Sequence, residues 1–426
     1  MSTSSPNRVQ PNSVSIVGAA GHIGMPLSVV LAEAGYDVTG IDRNQAVNER
    51  LLRGEVPYIE HGAAELLKKG LERGNLTFTH YDTALATAET MVLIIGTPVD
   101  DNLNPRIDAL LDVLQRHAPR MPRGQLIILR STVSPGTTEL LRRILEDKTG
   151  MREGVDFFLV FAPERVLQTK AVEEIQTLPQ MIGAFSDASF QRAKGFFEKF
   201  LNNQCIRLTP VEAELGKLIT NMSRYISFAM ANEFYMICDS YGANAHKVIN
   251  ACNKDYPRLN LPRPGSNVGG PCLYKDGYYL IDRISYPDII ASAFKINESV
   301  TRYLLEKVKT RVNLRHAGIL GMAFKADCDD TRNSLSFKLQ KQLRGSYCTP
   351  VPVDPYVPEF ADYERLKRVD ALFLMTPHKE FRDLEKILKI VDNPDCVICD
   401  MWNFWSENCD LAHDGIYTAA QALARK

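Results

Sequence analysis

Residues 269–276 read GGPCLYKD and bring a cysteine, a lysine and an aspartate into one short segment. The glycines allow the backbone to approach a ligand closely, and Pro271 stiffens the turn before Cys272. Lys275 favours the thiolate form of this cysteine, whereas Asp276 opposes it. From these residues alone, Cys272 is explained equally well as a structural cysteine and as a nucleophile.

A second segment, GAAGHIG, has three glycines with the spacing G-x-x-G-x-x-G. Gly18, Gly21 and Gly24 follow a β-branched run and open an apolar helix, which is where backbone amides bind a pyrophosphate. Asp42 ends the next predicted strand, where a carboxylate accepts hydrogen bonds from the adenosine ribose and repels a 2′-phosphate. We therefore predict a dinucleotide site that prefers NAD to NADP, with a purely structural turn as the alternative.

Further polar side chains follow later strands or share one face of a helix. Thr132 lies at the end of a predicted strand, Glu164 lies just past the end of another, and Lys217 and Asn221 lie one helical turn apart. Glu164 could act as a base or bind sugar hydroxyls, and a buried lysine or asparagine needs partners. The alternatives are a helix cap after Thr132, a surface salt bridge at Glu164 and a lysine that reaches solvent at 217.

The elements that position these residues alternate between strands and helices, which is typical of a parallel sheet with both faces covered. The strand-like runs lie at 14–17, 38–42, 76–79, 91–98, 126–132 and 157–164. One long helix, apolar on more than one face, is predicted for residues 211–242. The pattern of the first strands then returns at 317–327, 351–355 and 371–378, which indicates a second, diverged half.

The predicted fold is therefore α/β, with two Rossmann-like, doubly wound parallel-sheet domains joined by a long central helix. We expect four segments along the chain. They are a disordered tail at 1–12, a dinucleotide-binding domain at 13–208, a central helical region with the cysteine loop at 209–300 and a second Rossmann-like domain at 301–426.

The chain has 426 residues, a net charge of −1 and a pI of about 6.7. Without a basic surplus, neither nucleic acid nor a membrane surface is an expected partner. Nine scattered cysteines favour a reducing compartment, so we expect a cytoplasmic protein with free thiols. CVIC at 396–399 lies in an apolar run without a second cysteine pair, so we interpret it as strand packing and predict no metal site.

The order of these motifs resembles the UDP-glucose/UDP-N-acetylmannosamine dehydrogenase family of nucleotide-sugar 6-dehydrogenases. After the glycine loop and Asp42 come STVSPGTT, PERVL, EAELGKLITN, PGSNVGGPCLYKD, GMAFKADCDDTRNS and DALFLMTPHKEF. The resemblance extends from Ser13 to about Trp405. It implies an NAD-dependent, four-electron oxidation of the C6 hydroxymethyl group of a nucleotide-linked hexose to the acid, through a cysteine thiohemiacetal and thioester.

The resemblance also implies a role for each residue that matches a family motif. Cys272 is the nucleophile, and Asp276 accepts the proton of the C6 hydroxyl, through a water. Lys217 and Asn221 bind the oxyanions. Glu164, or a water that it positions with Thr132, drives hydrolysis of the thioester. A homodimer is implied, in which Arg258 reaches the substrate of the neighbouring subunit, and the C-terminal domain is expected to bind the nucleotide sugar.

Two sets of ligand contacts follow from the same resemblance. The implied cofactor contacts are Gly18, Gly21, His22, Ile23, Gly24, Asp42, Arg43, Thr97, Pro98, Thr132, Lys275 and Arg332. The implied substrate contacts are Glu164, Arg165, Val166, Lys217, Asn221, Arg224, Arg258, Pro264, Gly265, Gly269, Phe324 and Lys325.

Departures from the family pattern leave the substrate open. The glycine loop is one residue longer than the family's G-x-G-x-x-G. Gln168 stands where UDP-glucose members often have a second glutamate, so hydrolysis relies more on Glu164. PERVL and NMSRY favour the N-acetylhexosamine branch, whereas the lysine of CLYKD is typical of the glucose branch. We predict an NDP-hexose of the UDP-glucose or dTDP-glucose type. The alternatives are the same chemistry on a UDP-N-acetylhexosamine and a single-step NAD-dependent alcohol dehydrogenase.

Overall fold

The computed structural model describes residues 9–100, 105–270, 273–281, 284–406 and 412–424. The chain divides into two compact units. The first contains Met1–Thr220 and Tyr278–Arg283, and the second contains Asn221–Gly277 and Ile284–Lys426. The four segments expected from the sequence stay a prediction.

The first unit is built on an eight-stranded sheet. Its strands are β1 (Gln10–Val17), β2 (Asp37–Ile41), β3 (Leu76–Thr79), β4 (Ala88–Leu93), β5 (Leu126–Leu129), β6 (Phe158–Phe161), β7 (Gln180–Ala184) and β8 (Cys205–Leu208). Their order is β3-β2-β1-β4-β5-β6-β7-β8, and neighbours pair in parallel except β6 and β7. Every residue of β5 is buried, which explains why the central strands are continuous apolar runs in the sequence.

Among the described residues, seven α-helices accompany this sheet before the long helix α8. They are α1 (Gly24–Glu33), α2 (Gln45–Leu52), α3 (Ala63–Arg73), α4 (Asp108–His117), α5 (Thr137–Thr149), α6 (Ala171–Thr177) and α7 (Asp187–Phe197). Side chains from α1, α3, α6 and α7 form one apolar cluster with the strands, and side chains from α4 and α5 form another. Helices therefore cover both faces of the sheet, as in a doubly wound fold.

The long helix α8 (Pro210–Ser240) follows β8. It belongs to the first unit up to Thr220 and to the second unit from Asn221 onwards. A Cβ at Gly216 would lie 3.1 Å from the sulfur of Met181, so a glycine here lets the start of α8 pack closely against β7. The predicted helix at 211–242 is thus present, with bounds shifted by one or two residues.

The second unit has a five-stranded sheet with the order β10-β9-β11-β12-β13. Its strands are β9 (His316–Leu320), β10 (Thr349–Val353), β11 (Ala371–Leu374), β12 (Val397–Cys399) and β13 (Ile416–Thr418), of which only β13 is antiparallel to its neighbour. The remaining helices are α9 (Ala245–Asn253), α10 (Leu273–Ile281), α11 (Asp288–Lys309), α12 (Leu335–Gly345), α13 (Leu384–Val391) and α14 (Ala419–Leu423).

The predicted fold class is confirmed, because both sheets are parallel-dominated and alternate with helices. The sequence did not predict β7, β8 and β13, which are short and carry polar residues or glycine among their apolar positions. The predicted strands at 91–98, 126–132 and 157–164 end earlier than expected. Their last residues instead form loops at the carboxyl edge of the sheet, and these loops carry candidate site residues.

Two smaller expectations concern the cysteine pair and the membrane. Cys396 precedes β12 and Cys399 ends it, and both are buried. Burial raises the pKa of Cys396 to about 12, so this thiol is unreactive and packs as predicted. Among the described residues, no helix is long and apolar enough to cross a bilayer.

Candidate active site

The glycine loop connects β1 to α1 in a turn that only glycine permits. Gly18 has a φ of +89°, and a Cβ there would lie 2.1 Å from the carbonyl oxygen of Ile94. A Cβ at Gly24 would lie 2.2 Å from the carbonyl oxygen of Gly18. Ile23, at the N-cap of α1, brings no capping side chain. The first amides of α1 and the tight turn therefore form a cradle that fits a pyrophosphate.

Asp42 follows β2 and faces this loop. Its two carboxylate oxygens accept hydrogen bonds from the backbone amides of Ala20 at 3.2 Å and Asn44 at 3.0 Å. The carboxylate is only half-buried, so lone pairs remain for ribose hydroxyls. Arg43, next to it, is exposed. This set of donors and acceptors fits NAD. The glycine loop would hold its pyrophosphate, and Asp42 would hold its ribose.

The loops after β4 and β5 are bound to each other. The Thr97 hydroxyl donates to the carbonyl oxygen of Thr132 at 2.5 Å, and Tyr279 donates to the carbonyl oxygen of Thr97 at 2.7 Å. Ser131 accepts a hydrogen bond from the Ile95 amide at 2.8 Å. Thr132 is thus held at the carboxyl edge of the sheet, and Pro98 is exposed on the same loop as Thr97.

Glu164 lies three residues beyond β6, and its carboxylate is held on several sides. Oε1 accepts hydrogen bonds from the backbone amides of Arg165 at 2.8 Å and Val166 at 3.1 Å. Oε2 forms a salt bridge with Arg130, which directly follows β5 and is almost fully buried. The surface salt bridge considered from the sequence is therefore not what this glutamate makes, because its partner is internal.

The remainder of the Glu164 loop is anchored to distant parts of the first unit. Glu60 accepts hydrogen bonds from the amides of Thr169 at 2.9 Å and Ala171 at 2.8 Å. Burial raises the pKa of Glu60, although these amides oppose the shift. Gln168 contacts His22 of the glycine loop at 3.0 Å between Nε2 and Nδ1. The glycine loop and the Glu164 loop thus contact each other directly.

The start of α8 is bound to the loop that carries Thr132. Glu214 is buried and accepts hydrogen bonds from the amides of Gly136 at 2.6 Å and Thr138 at 2.8 Å, at the N-terminus of α5. Lys217 lies one turn further along α8 and is half-buried. This ion-dipole contact fixes the face of α8 that presents Lys217.

Asn221 and Asp276 come from motifs 55 residues apart and form a direct hydrogen bond, with the Asn221 side-chain amide donating to Asp276 Oδ2 at 2.6 Å. Both side chains are buried, and Asp276 lies in the first turn of α10. Lys275 is half-buried beside it. Cys272 lies outside the described residues, so its place in this arrangement stays a prediction.

The glycine run before Cys272 packs against the loop after β9. A Cβ at Gly269 would lie 2.6 Å from the carbonyl oxygen of Asn333, and a Cβ at Gly270, with a φ of +96°, would lie 2.7 Å from the ring of Phe324. The buried Asn267 side chain donates to Ala323 O at 3.0 Å and accepts from the Leu335 amide at 2.9 Å. These contacts place Phe324 against Gly270, the neighbour of the predicted residue Gly269.

A cavity of about 510 Å³ lies in the second unit. Its lining residues come from α9, from the segment that follows α9 and from the loops that follow β11 and β12, and they are His246, Asn250, Arg263, Pro377, Arg382, Trp402, Asn403 and Phe404. Gly265 lies against this wall, because a Cβ there would be 2.2 Å from Trp402. Pro264, next to Gly265, is buried. Two arginines and two aromatic rings suit a nucleotide.

The other predicted contact residues are more exposed. Lys325 is half-buried after Phe324, and Arg332 makes a bidentate salt bridge with Asp330, at 2.6 Å for the closer pair. Arg224 is exposed on α8. Arg258 is exposed and stacks over the ring of Tyr256, 4.9 Å from its centroid. Their roles as ligand contacts stay predictions.

Sequence reasoning missed the residues that hold the predicted ones in place, namely Glu60, Arg130, Gln180, Glu214 and Asn267. Each is a polar side chain that becomes buried and makes at least one contact across 30 or more residues of sequence. A charged residue inside an apolar strand segment, as in LIILRST, was the one visible signal.

The glycine cradle, the strand-end carboxylate and the doubly wound sheet define the first unit as a dinucleotide-binding domain of an oxidoreductase. Residues 12–201 match the NAD binding domain of the UDP-glucose/GDP-mannose dehydrogenase family, residues 211–299 its central domain and residues 318–407 its UDP binding domain. The chain belongs to this family. It is an NAD-dependent dehydrogenase of nucleotide sugars, which confirms the resemblance seen in the sequence.

Individual relatives agree with this assignment. The chain is 33% identical to UDP-N-acetyl-D-mannosamine dehydrogenase of Pyrococcus horikoshii, over 85% of this chain and 89% of that protein. It is 29% identical to NDP-N-acetyl-D-galactosaminuronic acid dehydrogenase of Ralstonia nicotianae, over 88% and 92%. A solved UDP-D-ManNAc dehydrogenase from Pyrococcus horikoshii matches with a TM-score of 0.83 and 32% identity, over 88% of this chain and 92% of that one.

Proposed function

We propose that this protein oxidises the C6 hydroxymethyl group of a UDP-N-acetylhexosamine, with UDP-N-acetylmannosamine as the first candidate, to the carboxylate. The observation that carries the chemistry is the 2.6 Å hydrogen bond between Asn221 and Asp276. It unites an oxyanion-binding amide and a proton acceptor, with Cys272 immediately before α10. The names of the relatives support the N-acetylated sugar, which was the alternative in the sequence prediction.

The overall reaction requires two oxidations and one hydrolysis. One alcohol, two NAD⁺ and one water give one carboxylate, two NADH and three protons. NAD, when bound, accepts the hydride that leaves C6 in each oxidation. The glycine loop and Asp42 hold it, and the half-buried Asp42 sets the preference for NAD over NADP.

The chain's own residues supply the proton transfers and the covalent step. Asp276 takes the proton of the C6 hydroxyl through a water, and Lys217 and Asn221 stabilise the oxyanion. The Cys272 thiolate then adds to the aldehyde carbon, and loss of the second hydride leaves a thioester. A water held by Glu164 and Thr132 hydrolyses it. The buried surroundings of Asn221 and Asp276 strengthen these interactions because few waters compete.

The nucleotide part of the substrate is assigned to the cavity of the second unit. Its volume of about 510 Å³ suits a small ligand. Trp402 and Phe404 provide faces on which a base can stack, and Arg263 and Arg382 provide charges for the diphosphate. Because Gly265 has no side chain, the Trp402 ring can lie in this wall of the cavity, where a Cβ on residue 265 would clash with it.

A homodimer completes the proposal. The second half of α8 carries a stripe of exposed apolar residues at helical spacing, Met230, Phe234 and Ile237, and the exposed Tyr241 directly follows the helix. A second copy of the chain would bury this stripe and bring its exposed Arg258 to the neighbouring site. Ile237→Lys is expected to give monomers in sedimentation. We further infer a cytoplasmic location from the described cysteines, which are all free.

An NADH-release assay tests the proposed function. UDP-N-acetylmannosamine, UDP-N-acetylglucosamine, UDP-glucose and dTDP-glucose are compared at equal concentration, and the NADH formed per sugar is counted. Two NADH per UDP-N-acetylhexosamine, with a kcat/KM above that for UDP-glucose, is the expected result. UDP-glucose remains the second candidate because Lys275 is typical of that branch, and a higher kcat/KM for it would overturn the sugar assignment. Cys272→Ser is expected to abolish the second NADH.

A further inference from the structure

The carboxylate of Glu164 has nearly exhausted its hydrogen-bonding capacity within the protein. A carboxylate has about four lone-pair sites, two on each oxygen. Among the described residues, the amides of Arg165 and Val166 occupy both sites of Oε1, and Arg130 occupies one site of Oε2. One site therefore remains for a water, and it lies on the oxygen that Arg130 holds.

Arg130 is itself fixed by a closed ring of contacts. Its Nη1 donates to the side-chain oxygen of Gln180 at 3.1 Å, while Nη2 contacts Glu164. The side-chain nitrogen of Gln180 donates to the carbonyl oxygen of Pro163 at 3.2 Å, and Pro163 directly precedes Glu164. The ring of Phe197 lies under the guanidinium, 5.6 Å from its centroid. One end of the planar Arg130 guanidinium group thus fixes the backbone of the Glu164 loop through Gln180, and the other end fixes the Glu164 carboxylate.

We propose that Arg130 is a positioning residue for the hydrolytic step, because it aims the one available lone pair of Glu164 at the attacking water. This inference rests on the proposed function, in which a thioester forms on Cys272. In that step the water oxygen bonds to the acyl carbon and the C–S bond breaks. Cys272 leaves as thiolate, and the proton lost by the water passes to Glu164. Neither oxidation needs Glu164, so Arg130 affects hydrolysis alone.

A purely structural salt bridge has different consequences. If Arg130 only stabilised the fold, its replacement would lower the melting temperature and scale all steps of turnover together. If it positions Glu164, hydrolysis alone slows and the thioester accumulates. Arg130→Lys separates these cases because lysine keeps the charge that pairs with Glu164. A lysine cannot hold Glu164 and Gln180 in one plane.

The experiment uses the full chain with saturating NAD and whichever sugar of the assay panel reacts fastest. NADH is followed in the first turnover and at steady state, and the intact protein mass is measured during turnover. Arg130→Lys is expected to release two NADH per site in a rapid burst and then to turn over on the order of 10–100-fold more slowly than wild type, since misplaced catalytic groups typically cost that much. A covalent sugar adduct should accumulate, with KM for the sugar and Kd for NAD unchanged within about twofold.

Arg142→Lys is the matched control. Arg142 also pairs with glutamates, Glu139 at 2.8 Å and Glu146 at 2.7 Å, and also stacks on a phenylalanine, 5.3 Å from the ring centroid of Phe185. This variant should turn over like wild type and carry no adduct. Glu164→Gln should accumulate the same adduct, and adding Arg130→Lys to it should slow hydrolysis no further, because the two residues act through one contact.

The outcomes separate this inference from the proposed function. A wild-type enzyme that releases one NADH per sugar overturns the proposed function, and the inference falls with it. A wild-type enzyme that releases two NADH per sugar supports the proposed function. If Arg130→Lys then turns over at the wild-type rate, or turns over more slowly without a covalent adduct, the inference about Arg130 alone is wrong. If Arg130→Lys fails to fold, the test rests on Glu164→Gln, and the absence of a covalent adduct in that variant overturns the inference.

Discussion

The two Rossmann-like units share one arrangement at their carboxyl edges but use it differently. In both, a glycine with positive φ follows the first strand, Gly18 at +89° and Gly321 at +92°. In both, an aspartate directly follows the next strand and accepts hydrogen bonds from backbone amides of that glycine loop. Asp42 accepts from Ala20, and Asp354 accepts from Met322 and Ala323. Asp42 is half-exposed, whereas Asp354 is fully buried.

The burial of Asp354 removes it from any ligand. Besides the two loop amides, it accepts a hydrogen bond from the amide of Tyr356 at 2.9 Å and contacts His378 Nε2 at 3.0 Å. Burial alone would raise the pKa of Asp354, but His378 and the amides outweigh it and lower that pKa. The helix that would cradle a pyrophosphate is also displaced, because α12 begins only at Leu335. Asp354 of the second unit therefore serves as scaffold.

The largest effect that tests this difference is on stability. Asp354→Ala is expected to lower the free energy of unfolding by about 3–5 kcal/mol, because it leaves buried amides and His378 without their acceptor. Asp42→Ala, at the equivalent place, should cost under about 1 kcal/mol, as expected at a half-exposed site. Urea unfolding of both variants measures this. Equal losses would contradict the contrast between scaffold and ligand site.

The sequence predicted the ligand-facing arrangement better than the scaffold. The spacing of Gly18, Gly21 and Gly24 before Asp42 is a local pattern and could be recognised within one β-α-β unit. A similar pattern of a strand, a loop and an aspartate returns in GMAFKAD and VPVDP. The sequence does not show that His378 contacts the aspartate of this second pattern, Asp354. Arg130 and Glu164 pair across 34 residues, and such pairs are set by tertiary packing. Long-range contacts between buried polar groups are therefore what single-sequence reasoning cannot supply.

The next effect concerns NAD binding through the first glycine. Gly18→Ala places a Cβ 2.1 Å from the carbonyl oxygen of Ile94, so the turn must open and lose the pyrophosphate cradle. We expect NAD affinity to fall by about 100-fold, since several amide contacts to a charged group are lost. Isothermal titration with NAD measures it.

Gly35→Ala is the control for this substitution, because Gly35 also has a positive φ, +85°, but nothing within 4 Å of its Cβ position. It should lower stability by about 1 kcal/mol, the ordinary cost of this backbone conformation, without changing NAD affinity. A similar loss of NAD affinity in both variants would mean that the clash with Ile94 is irrelevant.

A smaller effect is expected on cofactor choice. Asp42→Asn removes the charge that repels a 2′-phosphate but keeps a hydrogen-bonding side chain. The ratio of kcat/KM for NAD to that for NADP should fall by about 10-fold, which corresponds to about 1.4 kcal/mol. Asp37→Asn, at the exposed start of the same strand, is the control and should leave the ratio unchanged. A wild-type enzyme that already prefers NADP would contradict the assignment of Asp42 as the residue that binds the ribose.

The smallest effect belongs to another strand-end carboxylate of the second unit, Asp400 after β12. Burial raises the pKa of Asp400 to about 6, although the amides of Phe404 and Trp405 oppose the shift. An aspartate in the unfolded chain titrates near 3.8. Between about pH 4 and pH 6 the native state therefore binds more protons than the unfolded state, so this group's contribution to stability falls as the pH rises through that window and is constant above it.

Asp400→Asn removes this titration while keeping an oxygen for the two amides. Relative to the variant, wild type should lose about 1–3 kcal/mol of unfolding free energy between pH 4 and pH 6.5, the amount that a shift of one to two pKa units implies. Other carboxylates with a shifted pKa, such as Glu139, whose pKa is lowered to about 2, and Glu60, whose pKa is raised by burial, are common to both proteins and cancel in the comparison. Parallel stability curves for the two proteins would show that Asp400 does not titrate in this range. Asp400 would then be ionised and structural, like Asp354.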